Sequence, residues 1–230
     1  MTNKWLKVAL MVTAIATGTS IKIDAETVLY VPQDDRPVSL QYTVDTAREA
    51  GMTVLTPPQH LISGKTYQGQ ADQIMAWVEQ NAGRADVMVL STDTLIYGGL
   101  VDSRKHNIPL STLQNRLKRI EGLKARNKNV RIYGFGTVMR SPRASGGGTE
   151  PAYYAEYGPT IFQIAALQDK LDSGSLTQEE TQKLMSLQAS VPVEYLQDWF
   201  DRRQKNMKIN KELIDETRSG VFDYFALGHD

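Results

Sequence analysis

The chain has no cysteine and only three histidines in 230 residues. Without cysteine there are no disulfides, no thiolate metal sites and no thiol nucleophile. His60, His106 and His229 fall into no His-x-x-x-His spacing, which removes the usual zinc-hydrolase motif. Charge of one sign is also lacking, since 26 Lys plus Arg balance 26 Asp plus Glu. No basic field therefore gathers nucleic acid or an anionic membrane surface, and nucleic acid is not an expected partner. Neither common Gly-rich phosphate fingerprint occurs, and no Gly-x-Ser-x-Gly elbow, so nucleotide binding and common serine-hydrolase chemistry find no support. The apolar stretch Val8–Ala16 is too short for a membrane span of about 20 residues.

That short stretch has another reading. Lys4 and Lys7 precede it, the small residues Thr17–Ser20 follow, and Ile23-Asp-Ala25 suits cleavage before Glu26. Residues 1–25 thus have the layout of a secretory signal peptide. The mature protein is expected to be exported, periplasmic or secreted, with no membrane association after cleavage.

A hydrophobic fraction of 41% and a charged fraction of 23% are ordinary for a globular chain, large enough here for one domain with an elaboration. The mature part alternates strand and helix signals, the rhythm of an α/β fold with a parallel sheet. Strands are expected near 27–32, 52–56, 86–91 and 130–136. Helices are expected near 39–50, 69–82 and 109–126, with Ile74, Trp77 and Val78 on one apolar face. Residues 26–140 form the expected α/β core. The glycine loop Ala144–Thr149 opens an all-helical insertion, 141–220, with a capping box at Thr177 and Glu180 and a long helix from Pro192. Residues 221–230 return as the last core strand. Its abrupt end on Asp230 leads us to expect the N-terminal part of a longer protein. The sheet is either open and doubly wound or part of a β/α barrel.

The strand ends carry the chemistry. In parallel α/β folds, ligands bind outside the carboxyl ends of the strands. Three apolar runs here stop on acids: the first on Asp34 and Asp35, the third on Asp93, the last on Asp230. The fourth leads through Thr137 to Arg140. In the loop Gln33–Pro37, Arg36 can hold one acid in place while the other stays free, with Pro37 restricting its backbone. An N-capping aspartate with a surface ion pair explains the same residues. Asp93 is followed by Tyr97, a glycine pair and Arg104; the glycines would let backbone approach a ligand, or simply shape a turn. Tyr153 and Tyr157 beside the glycine loop suit sugar stacking and ordinary packing about equally. Arg202, Asn206 and Asn210 recur every four residues on one helix face, a pattern that is more often solvated than functional.

Several of these segments resemble an uncharacterised bacterial family, domain of unknown function 4127. They are Val31–Pro37, Ser91–Arg104, Thr137–Arg140, Tyr153–Tyr157, Arg202–Asn210 and Phe222–Asp230. The resemblance covers nearly the whole mature chain and implies no activity. It places Asp34, Arg36, Asp93, Tyr97, Arg104, Arg140, Asn206 and Asp230 within shared motifs, and it implies that further sequence follows Asp230.

From the residues we expect a hydrolase of the glycosidase kind acting on an extracytoplasmic saccharide, with Asp34, Asp93 and Asp230 catalytic. Asp35, Arg36, Tyr97, Arg104, Arg140, Tyr153, Tyr157, Arg202 and Asn206 are the expected substrate-binding residues. No cofactor is expected; a divalent cation on the three strand-end aspartates is the variant of this scheme. The alternative is an exported protein that binds a sugar or small polar ligand without turnover.

Overall fold

A computed structural model describes residues 25–144 and 147–229. The expected leader, apart from Ala25, and Asp230 lie outside the described residues. Short runs rich in Val, Leu and Tyr form β1 (Thr27–Val31), β2 (Thr53–Leu55), β3 (Val87–Ser91), β4 (Arg131–Val138) and β5 (Tyr224–His229). The helices are α1 (Gln41–Glu49), α2 (Ala71–Asn81), α3 (Thr92–Tyr97), α4 (Leu100–Lys105) and α5 (Leu110–Arg126). They continue with α6 (Tyr154–Asp172), α7 (Gln178–Ala189) and α8 (Val193–Arg218).

All neighbouring strands pair in parallel, in the order β2-β1-β3-β4-β5. This is one of the common orders of the open doubly wound sheet, and it reverses between β1 and β3. A β/α barrel would set β2 between β1 and β3. Here β2 is an edge strand, so the open sheet is the architecture found.

Alternate residues of a strand point to opposite faces. Leu29, Val31, Met88, Leu90 and Ile132 are fully buried on one face. They pack with Ile74, Met75 and Val78 of α2, with Leu113, Leu117, Ile120 and Leu123 of α5, and with Ile209 and Leu213 of α8. On the other face, Val28, Tyr30, Val89 and Tyr133 line a cavity of about 290 Å³ together with Thr43 and Ala47 of α1. A second apolar cluster joins Tyr154, Ile161 and Ile164 of α6 to Leu184 of α7 and Trp199 of α8. The long α8 therefore belongs to both clusters: Trp199 sits in the second, Ile209 and Leu213 in the sheet core.

Two stretches depart from the sequence reading. The segment after β3 is helical rather than loop, because Ser91 Oγ caps α3 by accepting the Thr94 amide at 3.3 Å, and Gly98 ends it in the left-handed region at φ 111°. Tyr153–Tyr157 leads straight into α6, which starts at Tyr154 and carries Pro159 inside it.

The glycine pair also finds a different neighbour. It meets the chain's own loop 63–69: a Cβ on Gly69 would lie 2.0 Å from the Gly98 carbonyl oxygen, and one on Gly99 would lie 1.8 Å from Ser63 Oγ. Asp102 fastens the same contact by accepting the Gly69 amide at 3.1 Å. Because backbone blocks the added methyl, Gly69→Ala should cost about 1–3 kcal/mol, as overpacking typically does. Urea unfolding should show a lower midpoint at constant slope; an unchanged midpoint would mean the two loops do not touch.

Candidate functional site

β1 and β3 end side by side at the point where the strand order reverses, and their first polar residues meet there. Asp93 opens the first turn of α3 and is 2% exposed. Its Oδ2 accepts the Gln33 side-chain amide at 2.9 Å and the Thr137 hydroxyl at 2.9 Å. Residues following β1, β3 and β4 thus converge on one carboxylate. Thr94 locks the arrangement by donating to the Pro32 carbonyl at 2.6 Å, which ties α3 to the end of β1.

Asp34, one residue beyond Gln33, is 5% exposed and paired with Arg36. Arg36 Nε donates to Oδ2 at 2.8 Å, Nη2 lies 2.7 Å from the same oxygen, and the Arg36 amide reaches Oδ1 at 3.2 Å. Neither aspartate caps α1, which begins after Leu40 without any side-chain cap. Asp35 is not free either: it accepts the Tyr67 hydroxyl, and this bond raises the Tyr67 pKa.

Tyr97 stands one helical turn from Asp93 on the same side of α3. It is buried, its hydroxyl has no hydrogen-bond partner among the described residues, and its ring stacks on His106 at 4.9 Å between centroids. Burial, helped by the Asp93 charge, pushes the phenol pKa well up, so it stays protonated.

Arg104 and Arg140 converge on a residue the sequence reading did not single out. Glu150, whose side chain is fully buried, takes Arg140 Nε at 3.1 Å and Nη2 at 2.5 Å, with Arg104 Nη1 at 3.9 Å. The Thr149 hydroxyl donates to its other oxygen at 2.9 Å. The only hint in the sequence is an acid two residues after a glycine run.

The Arg202–Asn206–Asn210 face is buried, not solvated. Arg202 Nε donates to the His106 carbonyl at 2.7 Å, and Nη2 pairs with Asp198 at 2.6 Å. Asn206 donates to the Ser103 carbonyl at 2.8 Å, with its Oδ1 2.8 Å from His106 Nε2; Asn210 donates to the Thr137 carbonyl at 3.3 Å. This row anchors α8 beneath α4 and β4. Tyr153 gives its hydroxyl to Asp198 at 2.6 Å and stacks on Tyr195 at 4.7 Å, while Tyr157 lies 5.6 Å from the same ring.

His106 ties the row together. Its Nδ1 accepts the Ile108 amide at 3.2 Å, so Nε2 carries the proton that meets Asn206. Burial lowers its pKa from 6.5 to about 4. The folded state therefore binds fewer protons than the unfolded state between those values. The resulting stability is complete above pH 6.5 and is lost as pH falls toward 4. The expected loss is on the order of 3 kcal/mol at most. Denaturation at pH 7 and pH 4.5 should show it, and His106→Gln should flatten the slope; an equal slope in both proteins would remove His106 as the cause.

Among the described residues no group of three His, Cys, Asp or Glu could hold a metal ion. Asp230, the third acid of the expected cation site, lies outside them. No helix among the described residues is long and apolar enough to cross a membrane.

The strand-end motifs and the order of elements lie within one family match, which spans residues 28–230. The chain belongs to the family described as protein of unknown function (DUF4127). No curated protein and no solved structure matches it. The candidate-site residues of this DUF4127 protein, including Gln33, Thr137 and Glu150, fall inside the matched span.

Proposed function

We propose that the crevice at the carboxyl ends of β1 and β3 binds a hydroxyl-rich, uncharged ligand, and that the protein is an exported hydrolase acting on such a saccharide. The observation carrying this reading is Asp93: a buried carboxylate at the reversal of strand order, held by the neutral donors Gln33 and Thr137. Glycoside hydrolysis needs two carboxyl groups in different environments, one protonating the leaving oxygen and one acting as base or nucleophile. Asp93, buried between Gln33 and Thr137, and Asp34, paired with Arg36, are the two carboxyl groups that would divide these roles. Export rests on the leader-like residues 1–25 alone.

The full chain, freed of its leader, should release new reducing ends from at least one class of cell-wall or plant glycan. Tight binding without product would favour the second reading, a sugar-binding protein. The triple contact of Arg36 with Asp34 supports that reading, because such a fixed polar rim serves recognition without turnover. Neither binding nor release from any glycan class would end both. A divalent cation would bring a different chemistry to the same acids, and it is tested by melting the protein with and without chelator. A shift of several degrees is the result that would require it.

A further inference from the structure

A second cleft, of about 800 Å³, lies between α6 and α8 beside the end of β4. Arg203 lines it from α8 and is partly withdrawn from water, which lowers its pKa. Among the described residues its one hydrogen bond is from Nη1 to the Met139 carbonyl at 2.6 Å, and no carboxylate pairs with it. Removing a guanidinium from water without a counter-ion is costly, so an anion from outside the chain is the natural complement. Across the cleft Asp169 lines the α6 wall, close enough to act on Arg203 through space, yet the two form no ion pair. Its neighbour Asp172 accepts a hydrogen bond from Gln168 at 2.9 Å. Lys208 and Lys211 add positive charge on the α8 side, and Leu196 and Phe200 give the cleft an apolar wall.

We propose that this cleft binds a short zwitterionic peptide, with its terminal carboxylate on Arg203, its ammonium toward Asp169 and an apolar side chain on Leu196 and Phe200. Opposite charges held apart across a cleft of this size are complementary to a ligand whose own charges are separated by a few residues. The volume falls in the range of small-ligand sites. A guanidinium can grip a carboxylate through two parallel hydrogen bonds, which accounts for Arg203 in place of a lysine. This site does not depend on the saccharide reading of the β1/β3 crevice.

The test uses the tripeptide Ala-Leu-Ala, its C-terminal amide and its N-acetyl form, titrated calorimetrically into the full chain. The free tripeptide should bind, and each blocked form should bind at least tenfold more weakly. Arg203→Met should bind the free peptide and the amide equally, and Asp169→Asn should equalise the free and acetylated forms. Should Arg203→Met fold poorly, Arg203→Lys serves instead, keeping the charge and weakening the free peptide while the amide stays as weak as before. Absence of tripeptide binding to the wild-type chain, or affinities indifferent to amidation, would overturn the proposal. Neither result would bear on glycan cleavage.

Discussion

Asp93→Asn should abolish glycan cleavage while leaving the fold intact. The asparagine oxygen can take the place of Oδ2 and still accept from Gln33 and Thr137, whose donors lie 2.9 Å away. The substitution thus preserves these two hydrogen bonds, which link the ends of β1, β3 and β4, and removes the acid–base group. Loss of a general acid–base group typically costs about 10²–10⁴-fold in rate. Turnover should fall by that amount while saccharide affinity and melting temperature stay close to wild type. Asp34→Asn should act in the same direction, but it also weakens the ion pair with Arg36, so some loss of affinity is expected as well. Unchanged turnover in Asp93→Asn on a validated substrate would take Asp93 out of the mechanism.

Glu150→Ala should be among the most destabilising single substitutions in the protein. The Glu150 side chain is fully buried, and one of its oxygens is shared by Arg140 and Arg104, the latter with a side chain only 5% exposed. Removing one partner of a buried ion pair takes away an anion that both guanidinium groups share, a change that typically costs about 3–5 kcal/mol. Glu150→Gln keeps acceptor and shape and should cost clearly less. Urea unfolding of the three proteins should rank them wild type, Gln, Ala. An alanine variant as stable as wild type would show that Glu150 does not hold this corner together.

The sheet was legible because β1, β2 and β3 are short apolar runs rich in Val and Leu, and buried parallel strands leave such runs. The acids at their ends were legible for the same reason: Asp34 and Asp93 are the first acids after the apolar runs that end at Val31 and Leu90. What holds those acids was not. Gln33 and Thr137 are neutral side chains with no spacing signal, and they reach Asp93 across 60 and 44 residues of sequence. Glu150 meets Arg104 only through tertiary folding.

The burial of the polar row on α8 was not legible because helical periodicity reports hydrophobicity. It cannot report that an arginine and two asparagines spend their hydrogen bonds on buried partners such as the His106 and Thr137 carbonyls. The short helices α3 and α4 were missed because buried Thr, Asp, Ser and Gly resemble a loop to any propensity argument. The glycine pair was seen, but its close approach to the loop 63–69 was not legible, because that contact forms only in the folded chain.

The most direct measurement is a crystal structure of the Asp93→Asn protein with an uncleaved oligosaccharide bound. The account predicts a sugar ring at the carboxyl ends of β1 and β3, its glycosidic oxygen within hydrogen-bond distance of the residue 93 side chain and the Asp34 carboxylate on the other side of the scissile bond. A saccharide seated elsewhere on the protein, with this crevice untouched, would contradict it.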